Sequence, residues 1–463
     1  MASTSRKADR VDARLCRRCF AGVSTARGSG DGGRQACTAG LPRRIAENSP
    51  GHPRLGSHGD RYPPAHRRHP RPRLPPPLRR RGSGRRRRCD VVSELFDALR
   101  RWPDVEAPGL VAVDAADRLI LDESAELRAA AGPGDIVVIN DAYGALTLGA
   151  ADDGATGIRA HLDAITGEHA LEANASRAGL TGRFRSLPFD AELVSGARVV
   201  LLRLPRTLDA LRDIAGLIAA HADPGVVVIA GGRLKHMSVS MNAVLSDNFG
   251  QLDVSHARQK SRVLIARGPR DGRDPTPAAA RVAGLEVRAY GGAFAGARLD
   301  IGTRLLLENL PDAPVGGTAS DPLIDLACGT GIIGAWMATK CTGAHVYACD
   351  QSAIAVASAQ ATMLANGIED RVEVARDDML STRASGSASL ITLNPPFHSA
   401  AAVTDLIAPR MFSDVARVLR PGGQLWCVWN SGLKYRPLLE RTIGPTRQVA
   451  RNAKFTVTVS TRR

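Results

Sequence analysis

The stretch Asp325-Leu326-Ala327-Cys328-Gly329-Thr330-Gly331-Ile332-Ile333-Gly334 decides the fold of the second half of this chain. It directly follows an apolar run that predicts a strand, and its last residues predict the start of a helix. Glycines in such a loop let backbone approach a ligand, and the free N–H groups of a helix N-terminus attract a carboxylate or a phosphate. The spacing of Gly329, Gly331 and Gly334 is compatible with a dinucleotide or with S-adenosylmethionine (SAM), so the loop alone does not choose between them.

Acidic residues close the next two predicted strands. Asp350 follows the second strand, where a carboxylate can accept both hydroxyls of a ribose. Asp377, Asp378 and Met379 close the third strand, at a position suited to the edge and face of an adenine. This order of residues predicts an adenosine-containing cofactor.

The sequence Asn394-Pro395-Pro396-Phe397-His398 follows the fourth strand and favours SAM. An exocyclic amine is a poor nucleophile, and it gains reactivity when acceptors hold its two N–H bonds. The Asn394 side-chain oxygen and the Pro395 carbonyl can be those acceptors, and Phe397 offers a stacking face for a base. His398 could help a proton leave, although a lone His in a loop is more often only polar lining. Catalysis then depends on alignment and electrostatics rather than on a strong general base.

Short β-branched runs alternate with polar helical stretches on both sides of this loop, which predicts parallel α/β architecture. In the second half, further strands are predicted after the glycine loop, and the last of them is the run Gln424-Leu425-Trp426-Cys427-Val428-Trp429. The first half contains four such runs: Asp135-Ile136-Val137-Val138-Ile139-Asn140, Ala197-Arg198-Val199-Val200-Leu201-Leu202, Val226-Val227-Val228-Ile229-Ala230 and Arg262-Val263-Leu264-Ile265-Ala266.

The two halves resemble each other, which suggests a duplication. Residues 140–146 sit where residues 325–332 sit, and Leu204-Pro205-Arg206 echoes Asn394-Pro395-Pro396. The Gly- and Pro-rich loop at 267–278 predicts a boundary between the halves. We therefore expect four segments: a tail (1–89), a first domain (90–267), a linker (268–282) and a second domain (283–463).

The net charge of +16 comes from the tail alone. Residues 1–89 hold 23 of the 62 basic and 5 of the 46 acidic residues, which leaves 39 basic and 41 acidic residues for the body. A segment so rich in Arg and Pro cannot bury enough apolar surface to fold, so we expect it to be disordered. Because the body is nearly neutral, global charge does not argue for a nucleic-acid partner.

Cysteine usage and hydropathy exclude several classes of protein. Eight cysteines in 463 residues are too few for a secreted disulfide scaffold, which favours a reducing cytoplasm. The pair Cys16 and Cys19 has no second pair at zinc-ribbon spacing, so no metal site is expected. No apolar run reaches the roughly 18 residues that span a bilayer, so we expect a soluble protein without membrane contact.

Taken in order, the glycine loop, Asp350, Asp378 and the Asn394–His398 motif resemble class I SAM-dependent methyltransferases. Within that group the chain is similar to the bacterial ribosomal RNA guanine-N2 methyltransferases. The resemblance covers about residues 90–463, and several stretches look like the large-subunit branch. They are Leu299-Asp300-Ile301-Gly302, Asn394-Pro395-Pro396-Phe397-His398, Asn452-Ala453-Lys454-Phe455 and Asn140-Asp141-Ala142-Tyr143-Gly144-Ala145.

The resemblance implies two tandem Rossmann-like methyltransferase domains, of which the first is degenerate, has lost SAM binding and assists RNA recognition or folding. It also implies a monomer that acts on ribosomal RNA or a ribosomal subunit. The family's guanine site would fall on Asn394, Pro395 and Phe397, and Asp300 and Gly302 would cover the cofactor. The SAM site would fall on Asp325, Gly329, Gly331, Asp350 and Asp378, beside Met379.

Because the body is nearly neutral, RNA contact would have to use local basic patches. The candidates are Arg203, Arg206, Arg233, Lys235, His236, Arg258 and Lys260.

Other functions stay compatible with the sequence. A protein-glutamine methyltransferase would use the same acceptors, although that family usually has Tyr at position 397 and a helical N-terminal domain. A DNA adenine methyltransferase would need a recognition insertion and a basic body. A small-molecule methyltransferase is also open. An oxidoreductase or a dinucleotide-binding module would give no function to the motif that begins at Asn394.

Overall fold

The structure is a computed structural model that describes residues 94–396 and 401–463, with the backbone alone at 401–405. The predicted tail, Phe397 and His398 therefore lie outside the described residues. The described residues all lie in one compact unit of the chain. Within the described ranges, no helix is both long and apolar enough to cross a membrane.

The first half of the compact unit contains seven strands: β1 (Ile136–Ile139), β2 (Ile158–His161), β3 (Phe184–Ser186), β4 (Val199–Arg203), β5 (Val227–Arg233), β6 (Phe249–Val254) and β7 (Ser261–Pro269). They form one sheet in the order β3-β2-β1-β4-β5-β7-β6. All neighbours are parallel except that β7 is antiparallel to β5 and β6. Its helices are α1 (Ala115–Glu123), α2 (Ala125–Ala130), α3 (Ala145–Asp152), α4 (Ile165–Ala178), α5 (Ala191–Val194), α6 (Leu208–His221) and α7 (Val239–Asn248).

The second half repeats this plan after a hairpin of β8 (Ala278–Val282) and β9 (Leu285–Ala289). Its main strands are β10 (Leu323–Leu326), β11 (Val346–Asp350), β12 (Val372–Arg376), β13 (Ala388–Leu393), β14 (Leu419–Asn430), β15 (Thr446–Arg451) and β16 (Phe455–Thr461). The sheet order is β12-β11-β10-β13-β14-β16-β15, with β16 antiparallel to its neighbours. Its helices are α8 (Ile301–Leu307), α9 (Ile332–Lys340), α10 (Ala353–Ala365), α11 (Ala401–Val418) and α12 (Arg436–Thr442).

Both sheets are covered by helices on both faces, which is why their central strands are mostly apolar. The four residues of β1 and the four of β10 are all buried. Separate apolar clusters fill the two faces of each sheet. The predicted fold, two tandem Rossmann-like α/β halves, is confirmed.

The identical strand order lets residues of the halves be matched by register. Ile139 pairs with Leu202 across β1 and β4, as Leu326 pairs with Leu393 across β10 and β13. Each central strand is followed by a residue with a left-handed backbone, and each following helix has a left-handed glycine at its N-cap. The register therefore matches Arg203 with Asn394, one residue earlier than the sequence echo suggested.

The two halves contact each other through the loops that follow β2 and β11. Ala164 and Ser352 form an isolated antiparallel bridge. The Asp163 carboxylate accepts hydrogen bonds from Ser352 Oγ and from the backbone N–H of Ile354, both at 2.9 Å. Because β11 carries Asp350 at its end, this contact brings first-half residues to the candidate cofactor site.

The predicted linker at 268–282 is partly ordered structure rather than a simple loop. Strand β7 continues to Pro269, and β8 begins at Ala278 and pairs with β9. The backbone N–H of Gly291, just after this hairpin, donates to Asp213 Oδ2 at 2.7 Å. The exact domain boundaries stay a prediction.

Candidate active site

The glycine loop begins directly after β10 and has two glycines with different tasks. Gly329 and Gly331 have φ of 55° and 76°, which strongly favour glycine. A Cβ on Gly329 would meet no atom within 4 Å, whereas one on Gly331 would lie 2.6 Å from Met363 Cε. Gly329 therefore leaves open space for a ligand, and Gly331 lets α10 pack closely against the loop.

Asp325 is buried beneath this loop rather than exposed to a ligand. Its Oδ2 accepts from the backbone N–H of Gly334 at 2.8 Å, and its Oδ1 accepts from Thr392 Oγ1 at 3.4 Å. Burial raises the pKa of Asp325 to about 7. Asp325 thus anchors the start of α9 and the neighbouring strand, which supports the loop from below.

Asp350 joins two loops at the end of β11. Its Oδ2 accepts from the backbone N–H of Gly329 and its Oδ1 from that of Ser352, both at 3.0 Å. Burial raises the pKa of this carboxyl, while these hydrogen bonds oppose the shift. The helix cap itself is Ser352, whose hydroxyl accepts from Ala355 N. The Asp350 carboxylate is left at the wall of the cavity described next.

A cavity of about 490 Å³ lies over the carboxyl ends of the second-half strands. The sequence-predicted residues that line it are Gly329, Asp350, Asp378, Met379, Asn394 and Pro395. The predicted residues Asp325, Gly331, Asp300 and Gly302 do not line it; they lie behind the cavity wall and support it. Six predicted residues thus share one cavity, as strand ends at one edge of a parallel sheet should.

The turn after β12 shapes one side of the cavity. Met379 has a φ of 60°, unusual for a residue with a side chain, and the next backbone N–H donates to Asp414 Oδ2 at 2.8 Å. Burial raises the pKa of Asp378, although the positive charge of Arg410, 3.9 Å away, opposes it. Asp378 and Met379 therefore line the cavity, at the position expected for an adenine.

Asn394 is held by its nitrogen and leaves its oxygen unpaired. Its Nδ2 donates to Thr303 Oγ1 at 3.0 Å and to Asp300 Oδ2 at 3.4 Å. Its Oδ1 is buried and has no hydrogen-bond partner among the described residues. Because a buried acceptor without a partner is costly, this oxygen is expected to receive a donor from a ligand. Pro395 lies beside it in the cavity wall.

Asp300 and Gly302 act through α8 rather than on the cavity. Asp300 Oδ2 caps α8 by accepting from the N–H groups of Gly302 and Thr303, at 2.8 and 3.1 Å. A Cβ on Gly302 would lie 3.0 Å from that oxygen and 3.2 Å from the Phe455 ring. The resemblance implied that Asp300 and Gly302 cover the cofactor. In the structure, Asp300 caps α8 through the N–H groups of Gly302 and Thr303 and accepts a hydrogen bond from Asn394.

Thr303 is a site residue that the sequence did not reveal. We expect Thr303→Val, which keeps the shape and removes the acceptor, to lower kcat about 3- to 10-fold, because one hydrogen bond of about 1 kcal/mol holds the Asn394 amide. The Kd for SAM should not change. Thr303→Ser, which restores the hydroxyl, should recover kcat. A rise in the Kd for SAM without loss of kcat would contradict this assignment.

The first half keeps the left-handed glycine and the capping aspartate of the second, but four site residues are replaced at matched positions. The replacements are Val138 for Asp325, Ala142 for Gly329, Leu162 for Asp350 and Arg203 for Asn394.

An ion-pair network occupies the matched catalytic position. The Arg203 guanidinium pairs with Asp114 and with Asp117, both at 2.7 Å. Asp114 caps α1 as Asp300 caps α8, and Asp117 stands where Thr303 stands. Burial raises the pKa of Asp117 to about 7, against the charge of Arg203. Three charged side chains that pair with one another therefore stand where the second half has the unpaired Asn394 oxygen.

Isothermal titration should therefore find one SAM site per chain. The first half has neither the strand-end carboxylate nor the first loop glycine that the second half uses. A second saturable site of similar affinity would contradict this. Gly144→Val offers a check on the first-half loop, where a Cβ would already lie 2.9 Å from Leu171: if that variant folds, it should keep the single site.

The first half also lines the second-half cavity. Asp104, Asp163, Thr166 and Arg206 come from the first half. Asp104 accepts from the Tyr143 hydroxyl at 2.6 Å, and Arg410 of α11 donates to the Pro103 carbonyl at 3.1 Å. The cavity is thus completed by both halves. The sequence placed every catalytic and cofactor-binding residue in the second half; it offered Arg206 only as an RNA contact and missed Asp104, Asp163 and Thr166.

Two family models match the chain in succession. The RLMG N-terminal domain matches residues 92–270, and the Methyltransferase small domain matches residues 284–459. The ribosomal RNA large subunit methyltransferase G of Streptomyces avermitilis is 35% identical over a 374-residue alignment that covers 78% of this chain and 95% of the relative. This chain belongs to that family. The protein of the same description from Shewanella amazonensis is 34% identical over 78% of this chain and 94% of its own length.

A solved structure supports the fold assignment. The 16S rRNA N2 G1207 methyltransferase of T. thermophilus, in complex with AdoMet and guanosine, superposes with a TM-score of 0.61 at 21% identity. The match covers 78% of this chain and 97% of that chain. The family membership makes this chain a methyltransferase, and its cofactor is SAM. Within the described ranges, no group of three His, Cys, Asp or Glu side chains could hold a metal.

Proposed function

We propose that this chain transfers a methyl group from SAM to the exocyclic N2 amino group of a guanine in ribosomal RNA of the large subunit. The unpaired, buried Oδ1 of Asn394 in the cavity wall carries this proposal. An amino group offers the two N–H donors that this oxygen and the Pro395 carbonyl can accept. The names of the relatives and the solved complex with guanosine support the choice of base and RNA.

The residues fit the cofactor. Gly329 leaves room where a Cβ would project, Asp350 presents a carboxylate for ribose hydroxyls, and Met379 offers a face for the adenine. When bound there, SAM supplies an electrophilic methyl group on a positively charged sulfur. These residues would bind and orient it, and the first-half side chains Asp163 and Thr166 would help to exclude water.

The chain's own contribution to the reaction is alignment. Asn394 Oδ1 and the Pro395 carbonyl would hold the two N–H bonds, which directs the nitrogen lone pair towards the methyl carbon. As the new N–C bond forms, the electrons of the old bond remain on sulfur, and one amine proton leaves to solvent. Because the positive charge on sulfur disappears as this happens, fixed dipoles rather than a strong base lower the barrier.

The alternative functions lose support. The first half is a seven-stranded α/β sheet, not the helical domain expected of a protein-glutamine methyltransferase. A dinucleotide-binding module would leave the Asn394 oxygen and its orienting contacts without a task. Family membership also argues against a small-molecule or DNA adenine methyltransferase. A cytoplasmic location and a monomeric state stay predictions.

The decisive experiment supplies the purified chain with labelled SAM and ribosomal RNA from a strain that lacks the gene. Large-subunit and small-subunit RNA are tested separately, each naked and in its particle, and the labelled nucleosides are then identified. We expect N2-methylguanosine in large-subunit RNA. Label in protein, in adenine or only in small-subunit RNA would contradict the proposal.

A further inference from the structure

Basic side chains gather on the carboxyl edge of the first sheet, beside the catalytic cavity. We name this group the β5 patch; it consists of Arg206, Arg233, Lys235, His236 and Lys260. Arg233 ends β5, and the Leu234 N–H that follows it donates to the Lys260 carbonyl at 2.9 Å. Arg206, Lys235, His236 and Lys260 are exposed. The described residues provide no carboxylate within ion-pair distance of Arg206, Lys235 or Lys260.

Two of the basic residues that the sequence offered for RNA contact do not belong to this patch. Arg203 is neutralised by Asp114 and Asp117, and Arg258 is shared between Asp122 at 3.3 Å and Glu123 at 3.2 Å. Their charges are already satisfied. Desolvation lowers the pKa of His236, the positive charges of Lys235, Arg206 and Arg233 lower it further, and the charge of Asp114 opposes them.

Arg206 connects this patch to the site of chemistry. It lies three residues beyond the end position of β4 that matches Asn394, and it lines the catalytic cavity. It also lines a second cavity of about 300 Å³, which shares Asp163 and Gly292 with the first. The second cavity contains the Phe189 ring, 5.4 Å from the His161 ring. Arg206 is thus the patch residue that lies at both cavities, and the Phe189 ring lies in the wall of the second.

We propose that the RNA strand carrying the target base reaches the catalytic cavity across the β5 patch, with Arg206 holding the phosphate next to the target nucleotide. The inference rests on the proposed function, since it takes RNA as the substrate. Exposed, unpaired cations along one path suit the evenly spaced charges of a phosphate backbone. Leu234 and Val239, 38% and 85% exposed in the same segment, add apolar contact area for bases or sugars.

The test measures the affinity of the whole chain for in-vitro transcribed large-subunit RNA at several salt concentrations. Each of Arg206→Gln, Lys235→Gln and Lys260→Gln should raise the Kd about 3- to 10-fold. Each should also lower the slope of log affinity against log salt by about 0.7, the value for one lost phosphate contact on a single strand. Arg206→Lys should keep the slope because it keeps the charge.

Arg206 has an additional expected effect that a distant phosphate contact would lack. Arg206→Gln should lower kcat about 10-fold while the Kd for SAM stays constant, because the target nucleotide would be misplaced in the cavity. The matched control is Arg447→Gln, an exposed arginine on the edge strand β15, which should change neither slope nor kcat.

The result that overturns the inference is an unchanged salt slope in all three patch variants, or equal effects from Arg447→Gln. The proposed function fails differently. In that case the unaltered chain would produce no N2-methylguanosine, whatever the patch variants do. If the unaltered chain methylates RNA and the patch variants bind it normally, the strand takes another path and this inference is wrong.

Discussion

Replacing Asn394 with alanine should lower kcat about 10²- to 10³-fold and leave the Kd for SAM almost unchanged. The variant removes the one buried oxygen in the cavity that has no partner among the described residues. Losing a preorganised polar group at the reacting atoms has effects of this size. Single-turnover methyl transfer to RNA and isothermal titration with SAM measure the two quantities separately.

The control for this variant is Asn430→Ala. Asn430 is an exposed asparagine of the same half, and its Oδ1 only caps the turn at Gly432, with a 3.0 Å hydrogen bond. Its kcat should stay within about 2-fold of the unaltered chain. Asn394→Ala retaining more than about a tenth of normal kcat would mean that this amide does not hold the reacting amine.

The parts of the site that the sequence predicted are those fixed by the order of strand ends. Gly329, Asp350, Asp378 and Asn394 each follow a different strand of one parallel sheet, so their meeting in one cavity follows from topology. The degenerate first half was implied by the family resemblance, and the echo between the halves suggested the duplication. Local patterns of apolar runs and glycine loops suffice when parallel strands bring their carboxyl ends to one edge.

The parts that the sequence did not predict depend on packing between elements distant in the chain. Asp325 is the acidic residue with which the glycine loop begins, so the sequence placed it at the cofactor. It is instead buried under the loop, where its carboxylate accepts a hydrogen bond from the backbone N–H of Gly334 at the start of α9. Thr303 orients Asn394 from 91 residues away. The ion pair that occupies Arg203 could not be deduced from the sequence, because Asp117 is distant in the chain. The same holds for Asp104 and Arg206 in the cavity wall, because their position depends on how the two halves pack.

Replacing Asp350 with alanine should raise the Kd for SAM about 10²- to 10⁴-fold. A carboxylate that accepts two ribose hydroxyls contributes about 1.5 to 3 kcal/mol for each bond. The same carboxylate also ties the Gly329 N–H to the start of α10, so its loss loosens the loop that receives the cofactor. Isothermal titration gives the Kd, and circular dichroism with a thermal melt shows whether the variant is folded.

Asp370→Ala is the matched control, because Asp370 is an exposed carboxylate in the loop before β12; its Kd for SAM should not change. At saturating SAM, Asp350→Ala should recover much of the normal kcat, since Asn394 and its contacts to Thr303 and Asp300 remain. Asn394→Ala should show the opposite pattern, with normal SAM affinity and no recovery. A folded Asp350→Ala variant with a Kd within about 3-fold of normal would show that the ribose is held elsewhere. If both variants instead changed the Kd for SAM and kcat in the same way, the cofactor loop and the turn at Asn394 would be coupled rather than independent binding elements.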